Sequence, residues 1–78
     1  MTRSVSIFGA TGSVGTSTLD LIRLEREKYE VLALTANSNA EELAGLAIEF
    51  DAKRAVVADP NQFEALKKAL SGTNIGVA

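Results

Sequence analysis

"SIFGATGSVGTSTLDLI", Ser6 to Ile22, places Gly9, Gly12 and Gly15 between an apolar run and an amphipathic one. Glycine loses more backbone freedom on folding than any other residue, so a cluster marks a bend or a close approach that a side chain would block. Upstream, "SVSIF" (Ser4 to Phe8) is short, β-branched and aromatic, and it is stopped by Gly9, which reads as a strand. Downstream, from Ser13 to about Arg26, Val14, Thr18, Leu21 and Ile22 recur at helical spacing with Leu19 widening the stripe. The stretch therefore reads strand, glycine turn, helix.

The same alternation continues along the chain. "YEVLALTA" (Tyr29 to Ala36) is a second strand, apolar enough to be covered on both faces. Asn39 followed by Glu42 has capping-box spacing and opens a helix whose inward face is Leu43, Leu46, Ala47 and Phe50. "RAVVA" (Arg54 to Ala58) is a third strand, and "DPNQ" supplies an N-cap and a first-turn proline for a helix from Pro60 to about Leu70. Phe63, Leu66, the stem of Lys67 and Leu70 form its inward face. "IGVA" opens another strand. The order β-α-β-α-β-α-(β) demands crossovers, hence an α/β fold with a parallel sheet and right-handed units, half of a Rossmann-like domain. The unfinished pattern makes residues 1–78 the N-terminal part of a larger dinucleotide-binding domain, with any catalytic domain outside this chain.

Composition agrees with an ordinary globular protein: 78 residues, 46% hydrophobic and 23% charged, without cysteine or histidine. At this length a core is marginal unless the fold is very regular or belongs to something larger. A net charge of −2 without a basic stripe argues against nucleic acid. No apolar stretch approaches the roughly 20 residues that span a bilayer, and glycines interrupt any signal-peptide core. Lack of cysteine fits a reducing cytoplasm.

A glycine turn that leaves a strand and enters a helix gathers unpaired N–H groups and the positive end of the helix dipole around one point. Such a point suits a pyrophosphate. Gly9 permits the sharp exit from the strand, Gly12 lets backbone approach phosphate, and Gly15 lets the helix pack closely. The spacing is G-x-x-G-x-x-G rather than the strict dinucleotide fingerprint, and Thr16 stands where a Walker A loop needs lysine. The alternative is that the glycines only shape a tight turn.

The end of the second strand bears on which nucleotide binds. An acid about 20 residues past the glycines commonly meets a free ribose 2′-hydroxyl, yet Val31 to Ala40 contains none. Asn37, Ser38 and Asn39, following Ala36 at the cofactor-binding edge, offer a small polar surface that tolerates a 2′-phosphate, which favours NADP. No Arg or Lys lies in that stretch to pair with it. Helix capping by Ser38 or Asn39 is the competing reading, and it leaves Asn37 free. Asp20, Glu41, Glu42, Lys53, Arg54, Lys67 and Lys68 read as solvated or capping, and Ser17 and Thr18 lie too deep in the helix to reach a ligand. No nucleophile with a base, carboxylate pair or metal cluster stands out, so no residue of this chain is assigned to catalysis.

"GATGSVGTSTLDLI", "YEVLALTANSN" and "AKRAVVADP" resemble the N-terminal cofactor-binding region of the 1-deoxy-D-xylulose 5-phosphate reductoisomerase family. The resemblance runs through nearly the whole chain. It rests on the residues after the glycine turn, "TSTLDLI", which semialdehyde dehydrogenases and extended short-chain dehydrogenases do not share. It implies a homodimeric enzyme that rearranges and reduces a sugar phosphate with NADPH, aided by a divalent metal, Mg or Mn, in non-mevalonate isoprenoid synthesis. It places the nucleotide contacts on Thr11, Gly12, Ser13 and Val14, and on Asn37, Ser38 and Asn39. Where the family commonly has a glycine and a basic residue, this chain has Asn37 and Ser38. The family's metal ligands and substrate-phosphate residues match no stretch here. A nucleotide-sensing module of a regulator and another NADP-dependent reductase are the competing functions.

Overall fold

The computed structural model describes residues 2–78. Strand β1 (Arg3–Ile7) leads through the glycine turn into α1 (Ser13–Leu24), and a 3-10 turn (Arg26–Lys28) leads into β2 (Tyr29–Ala36). Then come α2 (Ala40–Glu49), β3 (Arg54–Val57), a second 3-10 turn (Pro60–Gln62), α3 (Phe63–Ala69) and β4 (Gly76–Val77). The four strands form one sheet in the order β1-β2-β3-β4, every neighbouring pair parallel. The α/β class and the parallel sheet agree with the sequence reading. The strand that begins in "IGVA" pairs with β3, whereas in the classic doubly wound order the fourth strand pairs with β1.

That order explains where the core sits. Successive right-handed crossovers that all step the same way put α1, α2 and α3 on one face of the sheet. Leu19 and Ile22 of α1, Leu43, Ala44 and Ala47 of α2, and Leu66 of α3 join Ile7, Val31, Leu34, Ala55 and Val57 of the strands in a single buried cluster. The opposite face is not covered as β2's composition leads one to expect: Leu32 is exposed, and Ala33 and Thr35 are only half-buried. A bulge between Val5 and Ser6 opposite Leu32 keeps both Val31 and Leu34 in the core.

The buried face of α1 departs from the expected one, while that of α2 agrees with it and that of α3 differs only at Lys67. α1 buries Gly15, Leu19 and Ile22, while Val14 and Leu21 face outward and Thr18 is half-buried. The packed stripe lies one residue round from the expected one, because Gly15 is the only first-turn residue small enough to meet the turn beneath it. α1 stops at Leu24, short of Arg26, where the chain tightens into the 3-10 turn. In α2, Leu43, Ala47 and Phe50 are buried and Leu46 is partly so. In α3, Leu66 and Leu70 are buried, Phe63 is partly buried and Lys67 is exposed. The stretch 60–62 is 3-10 rather than α, with Pro60 in its first turn and the Asp59 carboxylate accepting the Asn61 N–H at 2.9 Å.

Candidate functional site

At the carboxyl edge of the sheet the glycine turn lies against the end of β2. Gly9 has a φ of +67°, a left-handed conformation that a side chain strains, and it reverses the chain out of β1. The Ala10 N–H donates to the Thr35 carbonyl at 2.7 Å, and the Gly12 N–H donates back to the Gly9 carbonyl at 3.0 Å. Gly15 rests directly on this turn: a Cβ there would lie 2.2 Å from Gly9 O and 2.9 Å from Ala10 Cα. Its role in close packing is thus against the turn's own backbone rather than the strand.

Gly12 is the N-cap of α1, with φ −82° and ψ 170°, and a Cβ there would meet only Gly9 O, at 3.4 Å. The space beyond it is open. No side chain caps α1, its first turn carries no acid, and among the described residues nothing accepts the N–H groups of Thr11, Ser13, Val14 or Gly15. Spare donors, a dipole end and a missing Cβ together fit a phosphate. Thr16 takes no part, since its N–H and hydroxyl both donate to the Gly12 carbonyl, at 2.9 and 2.8 Å. The Val14 side chain is turned to solvent and the Gly15 side is buried, so Thr11, Ser13 and Val14 offer the accessible donors.

The second loop lies beside the first because β1 and β2 are neighbours, Ile7 opposite Leu34. Its residues divide by role. Ala36 is buried and offers only backbone, with its carbonyl accepting Ala58 N–H at 2.9 Å. Asn39 is the helix cap: its Oδ1 accepts the Glu42 N–H at 3.3 Å, and its Nδ2 donates to the Glu42 carboxylate at 2.8 Å. Side chain meets side chain here, where a capping box would return Glu42 to the Asn39 backbone. Asn37 and Ser38 are exposed, and among the described residues their side chains make no hydrogen bond. A residue outside the window 31–40 also reaches this rim. Asp59 donates its N–H to the Asn37 carbonyl at 2.8 Å, so a carboxylate stands just past β3 beside the loop, with one oxygen held by Asn61. Only the β2–β3 register brings it there, and sequence spacing carries no sign of it.

Other surface concavities lie away from this rim. One of about 480 Å³, lined by Arg26, Tyr29, Asp51, Lys53 and Asn74, sits where β2, β3 and β4 begin. Ligands of open α/β sheets bind at the strands' carboxyl ends, so the open rim takes precedence over this cavity. Among the described residues no three His, Cys, Asp or Glu side chains gather to hold a metal, and no helix is long and apolar enough to cross a membrane. Asp20 pairs with Arg23 on α1's surface.

The four-stranded parallel sheet, with an uncapped glycine turn at its carboxyl edge, is an α/β fold of Rossmann-like type. Residues 5–78 match the family model described as 1-deoxy-D-xylulose 5-phosphate reductoisomerase, and the chain belongs to that family. It is 51% identical over 76 residues to the reductoisomerase of Zymomonas mobilis, covering 97% of this chain and 20% of that protein. With the Rhodopseudomonas palustris (strain BisB18) enzyme it shares 56% over 73 residues, 94% of this chain and 18% of the relative. The solved Zymomonas mobilis reductoisomerase in complex with NADPH superposes with a TM-score of 0.97 at 50% identity, covering 100% of this chain and 21% of the other. A reductoisomerase in complex with NADPH, fosmidomycin and magnesium gives 0.89 at 34% identity, covering 96% and 19%. The chain thus spans about a fifth of the length of these relatives.

Proposed function

We propose that residues 1–78 form the N-terminal part of an NADPH-binding domain in an enzyme that isomerises and reduces 1-deoxy-D-xylulose 5-phosphate to 2-C-methyl-D-erythritol 4-phosphate. The observation that carries this reading is the open, uncapped start of α1 beyond Gly12, beside a β2 end that presents Asn37 and Ser38. NADPH supplies a hydride when bound. The N–H groups of Thr11, Ser13 and Val14 would take its pyrophosphate, with Gly9, Gly12 and Gly15 giving the turn its shape. Asn37 and Ser38 would donate to the 2′-phosphate, and the Asn39 side chain, held by Glu42, would contribute by fixing the loop. The metal and the sugar phosphate would fall to other parts of the protein, since this chain covers 19% of the reductoisomerase solved with NADPH, fosmidomycin and magnesium and no three His, Cys, Asp or Glu side chains gather among the described residues. A sensor module or a semialdehyde dehydrogenase is less well supported, since the family match extends through residues 5–78 and not merely the glycine turn.

Fluorescence titration of the full-length protein tests the cofactor assignment. NADPH should bind at least about tenfold more tightly than NADH, a difference of about 1.4 kcal/mol. Tighter NADH binding would transfer the rim's specificity to the Asp59 carboxylate and overturn the role given to Asn37 and Ser38.

A further inference from the structure

Thr35 touches the glycine turn twice. Its Oγ1 accepts the Gly9 N–H at 3.0 Å, and its carbonyl accepts the Ala10 N–H at 2.7 Å. The first contact fixes the peptide before the Gly9 Cα and the second fixes the peptide after it. A glycine at φ +67° would otherwise be the freest joint in the turn. Both of its flanking peptides are instead held by one residue of the neighbouring strand.

The consequence runs into the phosphate site. The carbonyl of the second peptide accepts the Gly12 N–H at 3.0 Å and is the atom against which Gly15 packs. Its orientation therefore sets where α1 begins and where the N–H groups of Ser13 and Val14 point. Beyond the Ile7–Leu34 pair the β1–β2 ladder ends, and Gly9, already turned, is met by a side-chain hydroxyl. We propose that Thr35 is a positioning residue for the cofactor, holding the turn in its phosphate-binding shape before the ligand arrives; this rests on the NADPH reading above. Gly9 is solvent-exposed, so water can replace the lost acceptor. The cost of losing the hydroxyl should accordingly appear in affinity, through lost preorganisation, more than in stability.

The test compares full-length Thr35→Val, which keeps size and β-branching, with Thr35→Ser, which keeps the hydroxyl. Thr35→Val should weaken NADPH binding and raise its KM by about five- to tenfold, leave kcat at saturating NADPH unchanged, and unfold at close to the parent temperature. Thr35→Ser should restore affinity. Unchanged NADPH affinity in Thr35→Val overturns the inference alone, as does a Thr35→Ser protein as weak as Thr35→Val. A Thr35→Val protein whose unfolding temperature collapses makes the residue structural and also overturns it. A parent protein without NADPH affinity would overturn the cofactor reading together with this one.

Discussion

Gly12 and Gly15, one helical turn apart, answer to different constraints that substitution separates. Gly12 has extended backbone angles that valine favours, and its Cβ would make only an ordinary contact with Gly9 O. Gly12→Val should therefore leave the far-UV circular dichroism unchanged while its methyls cover the N–H groups of Ser13 and Val14. NADPH affinity should fall by at least about tenfold, and retained affinity would reduce the glycines to turn formers. Gly15→Ala does the reverse. Helix propensity favours alanine by about 1 kcal/mol, but a Cβ 2.2 Å from a backbone carbonyl cannot be relieved by a rotamer change. Overpacking of this kind costs about 1–3 kcal/mol or more. The clash wins, so Gly15→Ala should lower the unfolding temperature despite being the better helix former, and an unchanged or raised temperature would refute the packing account.

Between α1 and α2 the contact is polar at the surface and aromatic below. Arg23 binds Glu49 through two nitrogens and also reaches Asp20, while Arg26 donates to the Glu49 carbonyl at 3.2 Å. Both guanidinium groups lie over buried Phe50, 5.0 and 5.2 Å from the ring centre. The hydrogen bond from Arg23 holds the Glu49 carboxyl below its ordinary pKa of 4.5; desolvation opposes it, and the charges of Arg23 and then Arg26 add to the lowering. A group whose pKa falls on folding contributes stability above its unfolded value and loses that contribution as pH falls through the folded one. Glu49→Gln should therefore lower the unfolding temperature slightly at pH 7, and the gap should close in acid and narrow in high salt. A gap that persisted at acid pH would show that charge is not what joins the helices. The elements themselves were legible in the sequence wherever a residue type has a local cause: Gly9 ends β1, Asn39 caps α2 and Pro60 starts a helical turn. The buried face of α1 was not, because Val14 and Leu21 are as apolar as Leu19 and Ile22, and periodicity cannot say which stripe meets the sheet. Nor was the Thr35–Gly9 contact, which depends on a β1–β2 register offset by a bulge.

At the scale of the whole molecule, among the described residues β1 is paired on one side only, and α1 leaves a second apolar stripe exposed. Val14, Leu21 and Leu24 are 79%, 67% and 82% exposed, and Phe8, just past β1, is 80% exposed. Val5, Ile7, Leu21, Leu24 and Tyr29 line a shallow, mainly apolar hollow of about 580 Å³ between them. An unpaired strand edge beside a contiguous apolar surface is the combination that draws chains together. The 78-residue polypeptide on its own should therefore self-associate, its weight-average mass in sedimentation equilibrium rising with concentration. Lysine is the residue natural edge strands use against such pairing. Leu21→Lys combined with Leu24→Lys should return the polypeptide toward monomer with little loss of helix, since neither side chain belongs to the buried cluster. A parent polypeptide that stays monomeric at every concentration would show that this face is tolerated by water, and self-association undiminished in the double variant would move the contact to another surface.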